Sequence, residues 1–427
     1  MQIKLEKIVG GGQALGTVED GRKVFVWGGL PGETVEVRIT KKKSKLLEGV
    51  VEQVITPAPQ RIEPVDPESY LSTSPWQIMR FITEQNLKSQ LIHEAFELHH
   101  VTLPEKVDIY SDHIQYGYRN KIEFSWFGDT DAISGVDTLD LAFFRRGSKG
   151  KIIIDGTSLA RPEINSLAGA IRDLLRTKPV TARNLKTLLI RSDQNGNCAW
   201  QLYLKDEIND LITEAEATKL PAQGGEIIFS NPKSPASVIT KRLASFGNIT
   251  LTDTILGTPF RYATEGFFQV NIPVYEHALR DMKQWIPADK PTVDTYSGVG
   301  TIGLTIGGPD TILVEINEHA VREMKRNIEQ LGREATAVLA ASEQALEYIT
   351  SDKTIIVDPP RAGLHQAVID RLLEQTPERI IYLSCNPVTQ ARDISLLLNK
   401  YFIAHIQGYN FFPRTPHIEN LVVLDKN

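Results

Sequence analysis

The sequence predicts an α/β protein whose C-terminal part is a doubly wound, mainly parallel sheet, preceded by a small β-barrel and an α+β middle region. Three observations predict it: short alternating strands between Gly/Pro turns, then mixed helical and strand-like periods, then a regular strand–helix alternation. The 427 residues exceed one ordinary core. We therefore expect three domains, over residues 1–56, 57–260 and 261–427.

The first domain is predicted from its turns. The apolar run Lys23–Trp27 leads into the turn Gly28–Gly32, and the next run, Val35–Ile39, alternates apolar and charged residues. Such alternation between closely spaced turns favours a small barrel. The prolines Pro57 and Pro59 favour a linker after it, because proline disrupts strand pairing.

The middle domain contains apolar residues at both helical and strand-like spacings. Apolar residues recur at helical steps over residues 76–99, which predicts a helix that could pack on the C-terminal domain. A second helix is expected over Ile164–Leu175, among strand-like runs at Lys121–Trp126, Leu185–Arg191, Trp200–Leu204 and Glu226–Phe229. These periods indicate structure but no function.

The C-terminal domain alternates buried strands with helices that carry charged faces. The helices are expected over Val321–Leu331 and Gln366–Gln375, and the strands over Thr292–Asp294, Thr311–Val314, Thr354–Val357 and Arg379–Leu383. This order is typical of a parallel sheet covered on both faces.

Composition narrows the class of protein. The net charge of -6 argues against a protein that coats nucleic acid indiscriminately, and the basic segments 41–45 and 145–151, taken alone, are best explained as solvated loops. No apolar run approaches the roughly 20 residues of a membrane span, and no signal peptide is evident. We expect a cytoplasmic monomer. Of the two cysteines, Cys198 is expected to be a small buried hydrophobe.

A glycine loop follows the first strand of the C-terminal domain. Asp294 ends this strand, and Gly298 and Gly300 follow in the turn. Glu315 ends the next strand about 20 residues on, at a position where an acid commonly accepts hydrogen bonds from ribose hydroxyls. The third glycine of a dinucleotide fingerprint is displaced to Gly303. A single nucleoside such as S-adenosylmethionine therefore fits this pattern better than NAD.

Two later strands end in unusual residues. Asp358 precedes Pro359-Pro360, which cannot continue pairing, and Cys385 lies just before a predicted helix. A thiol at a helix N-terminus is expected to favour its thiolate. Carboxyl ends of parallel strands share one edge, so these residues should meet the glycine loop there. Glu419, before the last strand, would by itself be explained as a solvated side chain.

Five motifs occur in the order and at the spacings of the RNA uracil-5-methyltransferase family, which this sequence resembles. They are Phe267–Asn271, Asp294–Gly300, Asp358–Arg361, Ser384–Pro387 and His417–Glu419. Ser-Cys-Asn-Pro with Asp-Pro-Pro-Arg is close to diagnostic of the family. The N-terminal barrel is similar to the TRAM RNA-binding domain of many members. The resemblance covers essentially the whole chain, and implies a Rossmann-like class I methyltransferase domain.

The resemblance also implies roles for single residues. Cys385 would be the nucleophile that adds to C6 of uracil, and Glu419 the base that removes the C5 proton after methyl transfer, without which the protein would stay trapped on its RNA. The contacts to S-adenosylmethionine implied by the family are Gln269, Tyr296, Glu315 and Asp358. The segment 118–121 is similar to an RNA-facing segment of the family and singles out Arg119 and Lys121.

The sequence departs from the family at two places. Many relatives hold an iron–sulfur cluster through four cysteines; the corresponding positions here are Asp66, Ser72, Pro75 and Ser158, so no cluster and no metal are expected. Ser342-Glu343 stands near a position where relatives often carry an aspartate that contacts the cofactor, and neither residue is assigned a role.

Several alternatives stay open. The barrel favours 23S ribosomal RNA as the substrate, with uridine 54 of tRNA as the alternative. A non-catalytic RNA-binding ribosome-assembly factor is a more distant one, against which the intact Cys385 and Glu419 count. A methyltransferase acting on a small molecule or a base nitrogen would need no covalent cysteine. No membrane partner is expected.

Overall fold

The structure is a computed structural model that describes residues 1–104, 106–130 and 137–427. No helix within these ranges is long and apolar enough to cross a membrane. The chain folds into two compact units, each assembled from separate stretches of sequence. The first contains Met1–Phe81, Ile114–Leu251 and Ala263–Glu265; the second contains Ile82–His113, Thr252–Tyr262 and Gly266–Asn427.

The N-terminal strands close into the expected barrel, in the order β1-β2-β3-β5-β4. Alternate residues point into it, as Val24 and Val26 do, each with none of its surface exposed. The strands are β1 (Gln2–Ile8), β2 (Ala14–Thr17), β3 (Lys23–Trp27), β4 (Thr34–Lys42) and β5 (Leu46–Thr56).

The segment after the barrel contains α1 (Tyr70–Thr73), α2 (Phe81–Glu97) and β6 (Ile109–Tyr110). The prediction of a helix from residue 76 was wrong at its start, because α2 begins at Phe81. Side-chain hydrogen bonds replace helical ones before it: the fully buried Gln77 donates to Ser74 Oγ at 2.7 Å and accepts from the amide of Asp66 at 2.9 Å. Periodicity does not reveal such side-chain bonding.

The middle region forms a mixed sheet in the order β13-β12-β11-β10-β7-β8-β9, against which α3 packs. Cys198 in β11 is 1% exposed, which confirms it as a buried residue, and burial raises the pKa of its thiol to about 12. The elements are β7 (Lys121–Phe127), β8 (Asp140–Phe144), β9 (Lys151–Ile153), α3 (Pro162–Leu175), β10 (Leu185–Ser192), β11 (Cys198–Leu204), α4 (Glu214–Ala217), β12 (Gly224–Phe229) and β13 (Lys241–Gly247).

The remaining elements begin with a hairpin and continue as the predicted strand–helix alternation. They are β14 (Thr250–Ile255), β15 (Thr258–Ala263), α5 (Ile272–Lys283), β16 (Thr292–Thr295), α6 (Thr301–Ile306), β17 (Thr311–Glu315), α7 (Glu318–Leu331), β18 (Ala335–Leu339), β19 (Thr354–Val357), α8 (Gln366–Gln375), β20 (Arg379–Ser384), α9 (Pro387–Leu397), β21 (Tyr401–Tyr409) and β22 (Glu419–Lys426). Two short 3-10 turns, Ser342–Gln344 and Leu346–Tyr348, precede β19.

The C-terminal sheet has the order β18-β17-β16-β19-β20-β22-β21-β6. Strands β16 to β20 are parallel, as expected, and their centre is fully buried, with Ile355 and Ile356 wholly inaccessible. Strand β22 lies antiparallel between β20 and β21. This insertion sets the start of β22 beside the carboxyl end of β20, where the candidate site is found.

Candidate active site

The loop after β16 has a backbone that few side chains tolerate. Tyr296, Gly298 and Gly300 all have positive φ, of 65°, 58° and 90°. A non-glycine residue in this region stores strain, and such strain often marks a ligand-binding loop. A Cβ added to Gly298 would meet no atom within 4 Å. The loop therefore leaves open space beside its backbone.

Asp294, in the strand before this loop, binds the helix that follows it. Its fully buried carboxylate accepts a hydrogen bond from the amide of Gly303 at 2.9 Å. Burial, with the negative charges of Asp358 and Glu315, raises the pKa of Asp294 to about 8, although the Gly303 amide opposes this shift. Gly303 allows α6 to pack closely on β17, because a Cβ there would lie 2.3 Å from Leu313 Cδ2.

Glu315 faces the open side of the loop. One of its carboxylate oxygens accepts from the amide of Gly298 at 2.9 Å and the other from the amide of Asn317 at 2.7 Å. The next residue, Ile316, is 68% exposed. A half-buried carboxylate, an exposed apolar side chain and the space beside Gly298 together fit the ribose and base of one nucleoside, as S-adenosylmethionine requires.

Gln269 belongs to the same compact unit as the loop after β16, and Tyr296 is part of that loop. Gln269 is half-buried in the irregular segment before α5, next to Phe268, whose ring stacks on Tyr262 with centroids 4.0 Å apart. The Tyr296 side chain shares a hydrogen bond with that of Ser342. Ser342, to which the sequence assigned no role, therefore supports the loop after β16 through its hydroxyl group.

Cys385 follows β20 and precedes α9. Asn386 caps this helix by accepting from the amide of Val388 at 3.2 Å. In the β20–β22 pairing Ser384 lies opposite Asn420, so Cys385 and Glu419 stand side by side at adjacent strand ends. The pairing of β22 with β20, rather than local sequence, brings this thiol and this carboxyl together.

The thiolate expected of Cys385 is not the favoured form in the free protein. Burial, and then the negative charges of Glu419 and Asp358, raise the pKa of its thiol to about 11, while Arg361 opposes this shift. The expectation from the helix N-terminus was wrong because two carboxyls and a partly closed environment outweigh it.

Glu419 and Asp358 form the acidic side of the site. Glu419 is 5% exposed, and burial followed by the charge of Asp358 raises its pKa well above the ordinary value, against the opposing effect of Arg361. Asp358 is half-buried as a whole residue, but its carboxyl group is enclosed. This burial raises the pKa of the carboxyl group to about 7. Two enclosed carboxyls and a thiol provide groups for nucleophilic addition and for proton removal.

Arg361 is a second residue of the site to which the sequence assigned no role. Its backbone oxygen accepts hydrogen bonds from Asn386 Nδ2 at 2.8 Å and Thr389 Oγ1 at 3.1 Å. Its guanidinium lies 3.4 Å from His417 Nδ1. The positive charge of Arg361 opposes the rise in the pKa of both Cys385 and Glu419. Its place in the Asp-Pro-Pro-Arg motif was the signal that could have singled it out.

The predicted RNA contacts Arg119 and Lys121 lie in the first unit, where both are half-buried. Lys121 forms an ion pair with Glu123 at 3.5 Å, and burial, then Arg191, lower its pKa. Their role in binding RNA stays a prediction. Over the part of the chain that the structure describes, no group of three His, Cys, Asp or Glu side chains could hold a metal ion.

Comparisons with known proteins give matches along the whole chain. A model of the tRNA (uracil-5-)-methyltransferase family matches residues 342–427, and a TRAM-domain model matches residues 1–51. An uncharacterized RNA methyltransferase of Thermosynechococcus vestitus is 28% identical over 446 residues, covering 99% of this chain and 97% of that protein. Another, of Enterococcus faecalis, is 28% identical and covers 94% and 92%.

One solved structure is similar over its full length. It is the Pyrococcus abyssi tRNA (uracil-54, C5)-methyltransferase in complex with S-adenosyl-L-homocysteine, with a TM-score of 0.80 and 21% identity, covering 99% of this chain and 100% of that one. At this identity the likeness shows the fold: a small barrel and a Rossmann-like sheet in one chain.

Proposed function

Because the chain belongs to the RNA uracil-5-methyltransferase family, we propose that it transfers the methyl group of S-adenosylmethionine to C5 of a uridine in RNA, through a covalent bond between Cys385 and C6 of the base. The observation that carries the proposal is that the thiol of Cys385 and the enclosed carboxyl of Glu419 lie side by side at one edge of the sheet. Methylation of a base nitrogen would need no such thiol.

The chemistry begins at Cys385. C5 of uracil is a weak carbon nucleophile until sulfur adds to C6, which moves the C5–C6 electron pair into an enolate. The thiol gives its proton to solvent before the sulfur attacks, and the positive charge of Arg361 would stabilise the resulting thiolate. S-adenosylmethionine supplies a methyl group on a cationic sulfur. The enolate electrons form the bond from C5 to this methyl group, the electrons of the methyl–sulfur bond return to the sulfur, and S-adenosyl-L-homocysteine is the leaving group.

Glu419 then completes the reaction. After methyl transfer C5 carries both a methyl group and a proton, and sulfur is still bound to C6. Removal of the C5 proton by the Glu419 carboxylate re-forms the C5–C6 double bond and expels the Cys385 sulfur. The raised pKa of Glu419 makes its carboxylate a stronger base than an exposed one.

Four residues are proposed to hold S-adenosylmethionine. Glu315, beside Gly298, would accept hydrogen bonds from the ribose hydroxyls. Asp358 follows β19, the strand next to β20, and would face the reacting end of the molecule. Tyr296 and Gln269 would close the site from the loop and from the segment before α5.

The proposal is tested by incubating the protein with methyl-labelled S-adenosylmethionine and uridine-containing RNA, and by locating the label in digested nucleosides. Label in 5-methyluridine is expected from the wild type and from Cys198→Ala, and none from Cys385→Ala. Label on a nitrogen, or activity retained by Cys385→Ala, would support the alternative reactions. No label at all would support a non-catalytic RNA-binding protein.

The RNA substrate is a further part of the proposal. We keep 23S ribosomal RNA as the first candidate; the matched family model, described as tRNA (uracil-5-)-methyltransferase, supports tRNA as the second. The barrel does not separate them, since a tRNA enzyme aligns along its full length with this chain. Mapping 5-methyluridine in both RNAs from cells that lack the gene decides between them. The monomeric state and the cytoplasmic location stay predictions.

A further inference from the structure

A buried ion pair on α2 has no part in the chemistry described above. Glu84 and Lys88, one helical turn apart, have none of their side-chain surface exposed, and their charged atoms are 3.1 Å apart. Taking two charges out of water is unfavourable unless further hydrogen bonds compensate them. The partners of this pair therefore indicate what it holds in place.

Both residues have partners in one segment, residues 410–418, which joins β21 to β22. Glu84 accepts hydrogen bonds from Asn410 Nδ2 at 2.9 Å and from the amide of Arg414, which lies 3.1 Å from both carboxylate oxygens. Lys88 donates to Asn410 Oδ1 at 2.6 Å and to the backbone oxygen of Phe412 at 3.2 Å. The two charges thus bind both side-chain and backbone atoms of the segment.

The held segment leads directly to Glu419. Tyr409 and Glu419, which flank the segment, pair with each other across β21 and β22. Arg414, near the middle of the segment, has a φ of 65°. Arg414 has 4% of its surface exposed. A non-glycine residue keeps such a backbone conformation only where its surroundings enforce it, and Glu84 binds the amide of this residue. Without Glu84 the segment could relax, and Glu419 would move with it.

The same segment carries His417, which lies 3.4 Å from the Arg361 guanidinium. Arg361 interacts electrostatically with both Cys385 and Glu419. A shift of the segment would displace the base and part His417 from Arg361, while the backbone oxygen of Arg361 keeps its bonds from Asn386 and Thr389, beside Cys385. Proton removal by Glu419 should therefore be slowed more than the addition of Cys385 to C6.

We propose that Glu84 and Lys88 are positioning residues, which hold residues 410–418 so that Glu419 can remove the C5 proton and release the RNA. This inference rests on the proposed function. It assigns α2, which precedes the catalytic sheet by many residues, to the last step of the reaction.

The test separates formation of the protein–RNA adduct from its release. Glu84→Gln keeps the shape of the side chain but removes its charge, and Asn410→Ala removes the contact to both charged residues; Glu97→Gln, on the exposed end of α2, is the matched control. Adduct is measured on denaturing gels, and release by a chase with unlabelled RNA. For both variants we expect adduct formation within about threefold of wild type and release slowed at least tenfold, as in Glu419→Gln.

Different failures have different meanings. A wild type that forms no 5-methyluridine overturns the proposed function. Normal release by the variants, next to slow release by Glu419→Gln, overturns the positioning role alone. So does a loss of adduct formation and release in equal proportion, because that is the result of a merely structural contact. If Glu84→Gln does not fold, Asn410→Ala gives the same comparison.

Discussion

The hydroxyl group of Ser158 donates a 2.7 Å hydrogen bond to the carboxylate of Asp66, which lies 92 residues earlier in the chain. The amide of Ser158 donates to the same carboxylate, and Gln77 Nε2 does so at 3.1 Å. By the resemblance stated above, Asp66 and Ser158 occupy two of the positions at which many relatives carry cluster cysteines. Here a hydrogen-bonded carboxylate joins the two segments of the first unit.

The first prediction concerns this junction. Asp66→Ala would leave the amide and hydroxyl of Ser158 without their acceptor, so we expect the free energy of unfolding to fall by about 1–3 kcal/mol. The comparison is with Glu68→Ala, an exposed acid two residues away, which should change stability by less than about 0.5 kcal/mol. Both are measured by urea denaturation. Equal stability of the two variants would show that the junction does not hold the segments together.

The second prediction concerns the reactivity of Cys385 in the free protein. With a pKa raised to about 11 by burial, Glu419 and Asp358, the thiol is almost wholly protonated at pH 7.5. Alkylation by iodoacetamide, which needs the thiolate, should be slow there and rise roughly tenfold per pH unit up to pH 9.5. The rate is followed by mass spectrometry of the peptide that contains Cys385.

Asp358→Asn tests the electrostatic cause. At pH 8.5 the Asp358 carboxyl, with a pKa of about 7, is charged and disfavours the thiolate. Its neutral replacement should lower the pKa of Cys385 and speed alkylation about three- to tenfold. Asp370→Asn, exposed on α8, should leave the rate unchanged. A plateau in the wild-type rate below pH 8 would contradict the raised pKa.

The sequence predicted the placement of the site better than its chemistry. Asp358 and Cys385 could be placed at one edge because each follows a buried parallel strand, and the order of such strands fixes where they end. The protonation of Cys385 could not be predicted, because it depends on Glu419, which reaches the thiol only through the insertion of β22. Glu84 and Lys88 look like an exposed helical pair in the sequence, since their spacing does not reveal their burial.

The third prediction concerns Asp294 and the pH dependence of stability. Its pKa is raised to about 8 in the folded protein, from an ordinary value of 3.8, by burial and by Asp358 and Glu315. Between these two values the folded protein retains a proton that the unfolded chain releases. The contribution of Asp294 to stability is therefore fully present below pH 3.8 and is lost as pH rises through about 8.

Asp294→Asn removes this titration while keeping an oxygen that can accept from the amide of Gly303. At pH 8.5 we expect the variant to be more stable than the wild type by between about 1 and 5 kcal/mol, and this difference should shrink as pH falls towards 5. Urea denaturation from pH 5 to 8.5 measures it, with the exposed Asp289→Asn as control. Parallel pH profiles for wild type and Asp294→Asn would mean that the Asp294 carboxyl titrates in the folded protein as it does in the unfolded chain, and that enclosure by β16 and α6 does not hold its proton.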